Sequence, residues 1–304
     1  MTKYLKKYKI HILVVYIFLL SVHFGFKDHF FITGIIFYTF PLLLLIIALI
    51  PLFILFYSKL KIRLLLLGLA GLLSYLWFQN YYYTYENNTI SESHSIMFWN
   101  IAKQEDYNIK DLKKVLETKS IDAILFVEAM HEDNGFNTEF KHLLKDYNIE
   151  FLEGNMLIAA KGSITLKNYS KEQNNYNINH LQIELEQNSY SIAIVDIYGN
   201  PLHNKRYALN KAITYSKDNN IDVIFGDFNT PFESVHFDNL KLNYKSLREY
   251  QNGVSATWPT SIPLLEIDQI WLNKKLTPLS LEKQYFKSSD HALLIGTFNS
   301  NLKN

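Results

Sequence analysis

Apolar side chains dominate the first 79 residues of the chain. They form three stretches, which occupy residues 10–24, 30–57 and 62–78. The middle stretch carries no charged residue over its whole length and exceeds the ~20 apolar residues that cross a bilayer. Pro41 and Pro51 favour a kink inside it. The pattern predicts a membrane anchor over residues 1–79 with three transmembrane helices that contact the lipid bilayer.

The first stretch is the weakest of the three, because it contains His11 and His23. A cleaved signal peptide is the alternative for it, although two further apolar stretches follow and no small-residue cleavage site is evident. Lys and Arg cluster before the first stretch and between the second and third, and none occurs over residues 79–95. Because basic residues favour the cytoplasmic side, three spans place the C-terminal domain outside the cytoplasm, whereas two spans place it inside.

A polar linker is predicted over residues 80–93, and a domain of shorter apolar runs follows over residues 94–304. Continuous runs predict buried strands at residues 96–101, 121–127 and 221–225, and alternation predicts a hairpin from residues 180–185 and 190–198. Helical spacing marks residues 109–119 and 205–216, and extended segments are predicted at residues 149–160 and 163–168. Residues 267–272 and 292–298 complete the predicted strands. Since hairpins are mixed with helix-linked strands, we expect an α/β sandwich of mixed sheets.

Charge separates the two parts of the chain. Residues 1–79 contain 8 of the 30 Lys and Arg and one of the 29 Asp and Glu, which leaves 22 basic and 28 acidic residues, a formal charge of −6, in residues 80–304. An acidic domain is poorly suited to nonspecific DNA binding, which depends on Lys and Arg at phosphates. The chain has no cysteine, which excludes disulfides, thiolate zinc sites and cysteine nucleophiles.

The most informative short motif is Gly226-Asp227-Phe228-Asn229, which follows the apolar run that ends at Phe225. Alternation along an extended chain places the side chains of Asp227 and Asn229 on the same side. A carboxylate can orient or deprotonate a water, and an amide can donate to an oxyanion. Asp and Asn are also ordinary turn residues. This motif therefore indicates a functional site only in combination with the other motifs of the chain.

Four other motifs stand at strand ends around this one, in a defined order. They are Phe98-Trp99-Asn100, Phe126-Val127-Glu128, Ile267-Asp268-Gln269-Ile270 and Ser289-Asp290-His291. In this order they resemble the endonuclease/exonuclease/phosphatase superfamily, the group that includes DNase I-like nucleases, sphingomyelinases and inositol phosphatases. The resemblance covers residues 94–299, and Trp258-Pro259 together with the apolar stretches resembles its membrane-anchored branch. It implies a four-layer α/β/β/α sandwich preceded by transmembrane helices.

The resemblance also implies a divalent cation, usually Mg²⁺ and in some members Mn²⁺. It makes Glu128 the expected main metal ligand, with Asn100 and Asp290 near the ion or its waters. Oxygen ligands of this kind suit Mg²⁺, which keeps several waters and needs only one or two carboxylates. Each of the three residues has a structural alternative at a strand end or a turn.

The remaining motif residues are expected to act on the phosphate and the water. Asp227 would position and deprotonate the attacking water, and Asn229 would hydrogen-bond the phosphate. His291 would bind or protonate a phosphoryl oxygen, with Asp268 on its other ring nitrogen favouring the charged imidazolium. The implied reaction is hydrolysis of a phosphodiester or phosphomonoester by in-line attack of water.

One position departs from the family pattern. Many members have a histidine at the end of a middle strand, where it contacts the phosphate, and here that position falls nearest Tyr198. A tyrosine hydroxyl can donate to phosphate but is neutral at pH 7. Some nucleases of the abasic-site branch have a tyrosine there followed closely by an asparagine, a role that Asn200 can fill, and His203, five residues after Tyr198, can substitute for the histidine instead. The departure affects the expected rate and substrate more than the fold.

The sequence therefore predicts a membrane-anchored, metal-dependent phosphoesterase. Nucleic acid, a phospholipid headgroup and a small phosphate ester all remain open as substrates, since fold analogy does not choose among them. A catalytically weak binding or sensory module is the first alternative, and a nuclease that faces the cytoplasm is the second. No protein partner is predicted.

Overall fold

The computed structural model describes residues 7–86, 93–102, 109–129 and 138–300. It divides the chain into two compact units, one of Met1–Tyr82 with Ser234–His236 and one of Tyr83–Glu233 with Phe237–Asn304. The linker predicted over residues 80–93 includes residues 87–92, which lie outside the described part, and its bounds stay a prediction. So do the bounds of the anchor and of the C-terminal domain.

The first unit is helical. Its helices are α1 (Lys9–Ser21), which continues as a π-helical turn over Val22–Phe26, α2 (Phe31–Thr39), α3 (Leu42–Ile47), α4 (Leu49–Leu55) and α5 (Leu60–Tyr81). Among the described residues, Lys9–Phe26 and Leu60–Tyr81 are long and apolar enough to cross a membrane. A third candidate span exists if Phe31–Thr39 and Leu42–Leu55, which meet at a bend of 70°, are one span. Three spans stay a prediction, because length and composition alone identify these candidates.

The two prolines of the middle stretch differ in effect. Pro41 lies in the break between α2 and α3, where its missing N–H and fixed φ interrupt the helix. Pro51 is the third residue of α4, and the one-residue break at Ala48 between α3 and α4 lies just before it. The bend of 70° occurs at Pro41.

The second unit is built on two six-stranded sheets. The strands of the chain are β1 (Tyr82–Tyr83), β2 (His94–Asn100), β3 (Ala123–Val127), β4 (Asn148–Leu152), β5 (Met156–Ala160), β6 (Ile164–Glu172), β7 (Tyr176–Leu185), β8 (Asn188–Ile197), β9 (Val223–Asp227), β10 (Tyr244–Ser246), β11 (Gly253–Val254), β12 (Asp268–Asn273), β13 (Leu276–Gln284) and β14 (Leu293–Ser300). One sheet has the order β13-β14-β2-β3-β5-β4 and the other β10-β12-β9-β8-β7-β6. The pairs β2–β3 and β8–β9 are parallel and the other pairs within these sheets are antiparallel.

Period-two alternation assigns the strand side chains to separate cores. In β2, Ile96 and Phe98 belong to the core between the two sheets, whereas Met97 and Trp99 belong to a core on the outer face. Successive side chains of a strand point to opposite faces of the sheet, so a strand that is apolar at every position is covered on both sides. This explains why these runs are continuous rather than alternating in the sequence.

Helices cover both outer faces. The helices α6 (Ile109–Thr118) and α7 (Thr138–Leu143) lie on the sheet of β2, and α8 (Lys205–Asp218) and α9 (Asp238–Lys241) lie on the sheet of β9. Ala208, Leu209, Ala212 and Ile213 form the apolar stripe of α8 that faces its sheet. The four-layer α/β/β/α sandwich predicted from the sequence is confirmed.

Strand β13 is absent from the predicted set of strands, which was therefore incomplete. It is an edge strand with a register shift between Pro278 and Ser280. A proline and several polar residues are compatible with a strand only at an edge or a bulge, so the run from 276 to 284 lacks the apolar signal that identified the central strands.

Candidate active site

Strand ends from both sheets meet at the predicted site. In the parallel pair β2–β3, Asn100 lies opposite Val127, so Glu128 leaves β3 beside the end of β2. In the antiparallel pair β9–β12, Asp227 lies opposite Asp268. The Asn100 side-chain amide donates to Oδ2 of Asp227 across 2.9 Å, which joins the two sheets at this edge.

A buried carboxylate–imidazole pair forms the centre of the site. Nδ1 of His291 lies 3.0 Å from both Oδ1 and Oδ2 of Asp268. The same nitrogen lies 3.8 Å from Oδ2 of Asp227, and all three residues are buried. The predicted contact between Asp268 and His291 is therefore present in the structure, with a second carboxylate nearby.

These carboxylates determine the charge of the imidazole. Burial by itself lowers the pKa of His291, but Asp268 and Asp227 together outweigh it and raise the pKa to about 10. His291 is consequently an imidazolium at neutral pH, with a proton on each ring nitrogen. A group in this state donates hydrogen bonds and carries positive charge, but it cannot accept a proton.

The pKa of Asp227 is also raised. Burial and repulsion from Asp268 raise its pKa well above the usual value, while His291 and the Asn229 amide oppose that rise. The backbone N–H of Asn229 donates to Oδ1 across 2.9 Å, and Asn100 holds Oδ2 as described above. The carboxylate is thus fixed in orientation and more basic than an ordinary aspartate, two properties that suit a proton acceptor.

The backbone around Asp227 is adapted to close packing. A Cβ added to Gly226 would lie 2.6 Å from the carbonyl oxygen of Val195 on the neighbouring strand, so only glycine fits there without displacement. Asn229 has a φ of 46°, in the left-handed region that asparagine tolerates better than most residues. Its Nδ2 donates to the carbonyl oxygen of Ile197 across 2.7 Å, so one of its two amide hydrogens is already bonded within the protein.

Asp290 lies at the exposed margin of the site. Its side chain is 55% exposed, and Oδ1 lies 3.9 Å from Nε2 of His291. Its other oxygen accepts a hydrogen bond from the indole of Trp258 across 2.9 Å. The Trp258-Pro259 motif thus contributes a specific polar contact to a site residue as well as packing.

Ser289 connects the two parts of the last motif to the end of β2. Its hydroxyl donates to the carbonyl oxygen of Asn100 across 2.7 Å, and the backbone N–H of His291 donates to the same hydroxyl oxygen across 3.0 Å. The indole of Trp99 donates to the carbonyl oxygen of His291 across 3.0 Å. The histidine backbone is therefore held to the strand that carries Asn100.

Glu128 and Tyr198 each directly follow a strand of the sandwich. Glu128 has a φ of 52° just after β3 and is half-buried. Tyr198, just after β8, is 42% exposed, and its ring lies edge-on to His203 at a centroid distance of 4.9 Å. Tyr198 is thus accessible to a ligand, and His203 supports its ring.

Lys205 is a site residue that the sequence analysis missed. It is 3% exposed, its ammonium donates to the carbonyl oxygen of Tyr198, and it lies in the field of Asp227 and Asp196. Burial lowers its pKa to about 8, although the two aspartates oppose that shift. A lysine at the start of an amphipathic helix is usually exposed, so nothing in the sequence pattern distinguished it.

The donor types at this edge fit a divalent cation. Asp227, Asp268 and His291 each offer one ligand atom within 4.8 Å of the others, but His291 already uses Nδ1 to bond Asp268. Asn100 uses its amide nitrogen on Asp227 and its oxygen on the N–H of Ala102, and a carbonyl oxygen retains a second lone pair. Carboxylate and amide oxygens of this kind are the ligands that Mg²⁺ takes.

Comparison with solved structures identifies the fold of this domain. An endonuclease/exonuclease/phosphatase family protein from Bacteroides thetaiotaomicron is 11% identical and has a TM-score of 0.54, over 72% of this chain and 100% of that one. The fold is that of the endonuclease/exonuclease/phosphatase superfamily. The DNase I-like architecture expected from the five motifs is thereby confirmed, whereas the membrane-anchored branch stays a prediction.

Two further structures share this fold. The human Nocturnin catalytic domain with bound sulfate is 19% identical, covers 71% of this chain and 97% of its own, and has a TM-score of 0.52. The TDP2 of D. rerio, in complex with a single-stranded DNA product, is 15% identical, with 68% and 99% coverage and a TM-score of 0.51. No protein-family model and no curated protein sequence matches the chain.

Proposed function

We propose that this protein is a metal-dependent phosphoester hydrolase attached to a membrane by its N-terminal helices. The observation that carries the proposal is the buried group of Asn100, Asp227, Asp268 and His291, which places one oriented, basic carboxylate beside one imidazolium. Both groups favour hydrolysis of a phosphoester, since a base can deprotonate the attacking water and a cation can stabilise the negative charge that develops on the phosphoryl oxygens.

His291 supplies the positive charge. Its proton at Nδ1 is held by Asp268, and its Nε2 proton is available on the side of Asp290. An imidazolium that the fold holds in place stabilises a phosphoryl oxygen in the transition state without reorganising at that moment. The buried Asp268 keeps the ring charged and in one orientation, which is a positioning role.

Asp227 is the proposed base. Its raised pKa makes it a better proton acceptor than an exposed aspartate, and its contacts with Asn100 and Asn229 fix its orientation. The second amide hydrogen of Asn229 is the proposed donor to a phosphoryl oxygen. The accessible hydroxyl of Tyr198 is a second donor at the margin, in the position where many superfamily members have a histidine.

The proposed cation ligands are Glu128, Asn100 and Asp290, with Mg²⁺ as the first candidate and Mn²⁺ as the second. When bound, such an ion polarises a phosphoryl oxygen and neutralises developing charge. Glu128 and Asn100 leave adjacent parallel strands, and parallel strands bring the residues at their carboxyl ends to the same edge of a sheet.

The structural neighbours support this class of chemistry. One binds a sulfate and another a DNA product, so the fold can accommodate phosphate-like anions and phosphodiesters. The formal charge of −6 over residues 80–304 is unfavourable for an extended polyanion. We therefore favour a small phosphoester or a lipid headgroup over duplex nucleic acid.

The test is hydrolysis of bis-p-nitrophenyl phosphate by the full chain in detergent micelles, with and without Mg²⁺. We expect Mg²⁺-dependent release of p-nitrophenol, with kcat lower by about 10²- to 10⁴-fold in His291→Asn and a similar loss in Asp227→Asn. His142→Asn, which changes an exposed histidine on α7, is the matched control and should retain the wild-type rate. Equal rates in all four proteins would exclude the hydrolase and favour the binding module.

A further inference from the structure

A second feature lies beside the candidate active site. A cavity of about 430 Å³, here called the hairpin pocket, is lined by residues 153–155, residues 171–177, Tyr169, Asp196 and Tyr198. The first range forms the turn between β4 and β5 in one sheet, and the second contains the turn between β6 and β7 in the other. The pocket is therefore built by the turns of two hairpins and the end of β8.

The pocket borders the site at two places. Asp196 lies opposite Asp227 in the register of β8 and β9, and its charge contributes to the raised pKa of Asp227. The backbone N–H of Ala129, next to Glu128, donates to the carbonyl oxygen of Asn155 across 2.7 Å. The hairpin pocket therefore adjoins the strand ends that carry Asp227 and Glu128.

The pocket wall is shaped by close packing between the hairpins. A Cβ added to Gly154, which has a φ of +77°, would lie 2.8 Å from Cγ of Asn177. The oxygen of that amide accepts a hydrogen bond from the hydroxyl of Tyr169 across 2.9 Å. Nδ2 of Asn175 donates to Oε1 of Glu172 across 2.7 Å. These contacts hold the polar lining in place before any ligand enters.

Negative charge prevails in this lining. Its charged side chains are the carboxylates of Glu153, Glu172 and Asp196 and the ammonium of Lys171, so the formal charge of the lining is −2. The buried ammonium of Lys205 lies next to the lining at the carbonyl oxygen of Tyr198 and offsets one of these charges, and the lining stays negative. The ammonium of Lys171 lies 5.6 Å from the centre of the Tyr169 ring. Burial, with repulsion from Glu153 and Asp196, raises the pKa of Tyr169.

The shape and charge of the wall determine which ligand it suits. Three carboxylates attract a cation and repel an anion, and aromatic faces such as those of Tyr169, Tyr176 and Tyr198 attract an ammonium group. Amide oxygens add neutral acceptors for N–H and O–H donors. A phosphate group or a second nucleotide would meet repulsion in the same place.

We propose that the hairpin pocket binds the alcohol portion of the substrate and selects an alcohol that carries a protonated amine. This proposal rests on the proposed function and names its substrate class, a phosphoester of an amino alcohol. In the reaction, water forms a bond to phosphorus, the bond from phosphorus to one ester oxygen breaks, and that oxygen leaves with a proton as the alcohol. The ammonium group is recognised but takes no part in the bond changes.

The first experiment measures binding to the full chain in detergent micelles with Mg²⁺, by titration calorimetry with three phosphomonoesters. They are 2-aminoethyl phosphate, ethyl phosphate and 2-carboxyethyl phosphate, which differ only in the group offered to the pocket. We expect the amino ester to bind at least fivefold more tightly than the ethyl ester and the carboxy ester to bind more weakly than both. Equal affinities, or tighter binding of the carboxy ester, would overturn the proposal.

Variants of Glu153 test whether the hairpin pocket causes the preference for the amino ester. Glu153→Gln should reduce the ratio of amino-ester to ethyl-ester affinity at least threefold, and Glu153→Lys should reverse the order of the amino and carboxy esters. The matched control is Glu150→Gln, which removes the same charge from an exposed position on β4 and should keep the wild-type ratio. Glu153 is itself exposed, and the melting temperature of each variant checks folding. A ratio that is unchanged in both Glu153 variants would refute the assignment.

A parallel assay separates this proposal from the proposed function. The same preparations are tested on bis-p-nitrophenyl phosphate, on glycerophosphoethanolamine and on phosphatidylethanolamine in vesicles. Hydrolysis of the chromogenic diester without any amino-ester preference refutes the pocket and leaves the hydrolase. A preference in binding with no hydrolysis refutes the hydrolase and leaves the pocket. With both present, cleavage of the vesicle lipid or of the soluble diester distinguishes a membrane source of the amino alcohol from a soluble one.

Discussion

The imidazole of His291 makes an ion pair with Asp268 inside the protein, with Nδ1 at 3.0 Å from each carboxylate oxygen. The two residues are 23 positions apart in the sequence and come from β12 and from the turn before β14. Their contact fixes both the orientation of the ring and its charge.

Removing the charge of Asp268 should move the alkaline limb of the activity profile. His291 acts as an imidazolium with a pKa raised to about 10, so activity of the wild type should fall only near that pH. In Asp268→Asn the main source of the elevation is lost, and the limb should move toward ~6.5, the usual histidine value. The pH profile of kcat/KM on bis-p-nitrophenyl phosphate measures the position of this limb.

Asp238→Asn is the control for that substitution, since Asp238 is an exposed carboxylate of α9 whose partner is Lys241. Its profile should superimpose on the wild type. An Asp268→Asn profile with an unmoved alkaline limb would show that His291 is not the group that titrates there.

The same pair predicts how stability depends on pH. Because the pKa of His291 is raised above its unfolded value, its protonation stabilises the folded state fully below ~6.5, progressively less as pH rises, and not at all above about 10. The melting temperature of the wild type should therefore exceed that of His291→Asn most at pH 6 and by little at pH 10.5. Thermal unfolding followed by tryptophan fluorescence measures the gap, and a constant gap would contradict the prediction.

Removal of divalent metal should abolish hydrolysis, and added Mg²⁺ should restore it. In Glu128→Gln we expect the Mg²⁺ concentration for half-maximal activity to rise at least tenfold, because a carboxylate ligand binds the ion more strongly than an amide. Glu150→Gln, which changes an exposed residue of β4, should need the same Mg²⁺ concentration as the wild type. Metal titrations of EDTA-treated protein give these values, and an unaltered requirement in Glu128→Gln would remove Glu128 from the ligand set.

Substituting Gly226 should disturb the site through the backbone. A Cβ there meets the Val195 carbonyl oxygen at 2.6 Å and its Cβ at 3.0 Å, so Gly226→Ala should force β8 and β9 apart next to Asp227. We expect a loss of stability of about 1–3 kcal/mol, seen as a lower melting temperature, together with reduced kcat. Gly71→Ala, in open space on α5, should lower neither quantity, because alanine is the better helix former. A fully active Gly226→Ala would disprove the close-packing argument.

The distribution of Lys and Arg predicts that the C-terminal domain lies outside the cytoplasm. Alkaline phosphatase fused to the C-terminus should then be active and β-galactosidase inactive, because each enzyme works on only one side of the membrane. The opposite result would favour the cytoplasm-facing nuclease considered above. The fusion also tests the first apolar stretch, since the predicted side depends on whether it spans.

Local sequence patterns were sufficient to predict many of the helices and strands. Continuous apolar runs identified β3 and β9, and the 3.6-residue spacing identified α6 and α8, because burial on two faces or on one stripe leaves a signature within a single element. The edge strand β13 has no such signature, since one side of an edge faces solvent and tolerates Pro278.

The sequence by itself indicated that Asn100, Glu128, Asp227 and Asp268 stand at strand ends, and the order of their motifs implied a common site through the resemblance to a known superfamily. Tertiary structure alone decided how they bond: that the Asn100 amide nitrogen contacts Asp227, that Lys205 is buried, and that two hairpins enclose a pocket. The physical reason is that side-chain orientation, burial and charge depend on neighbours from distant parts of the chain, whereas periodicity reports only the faces of each element.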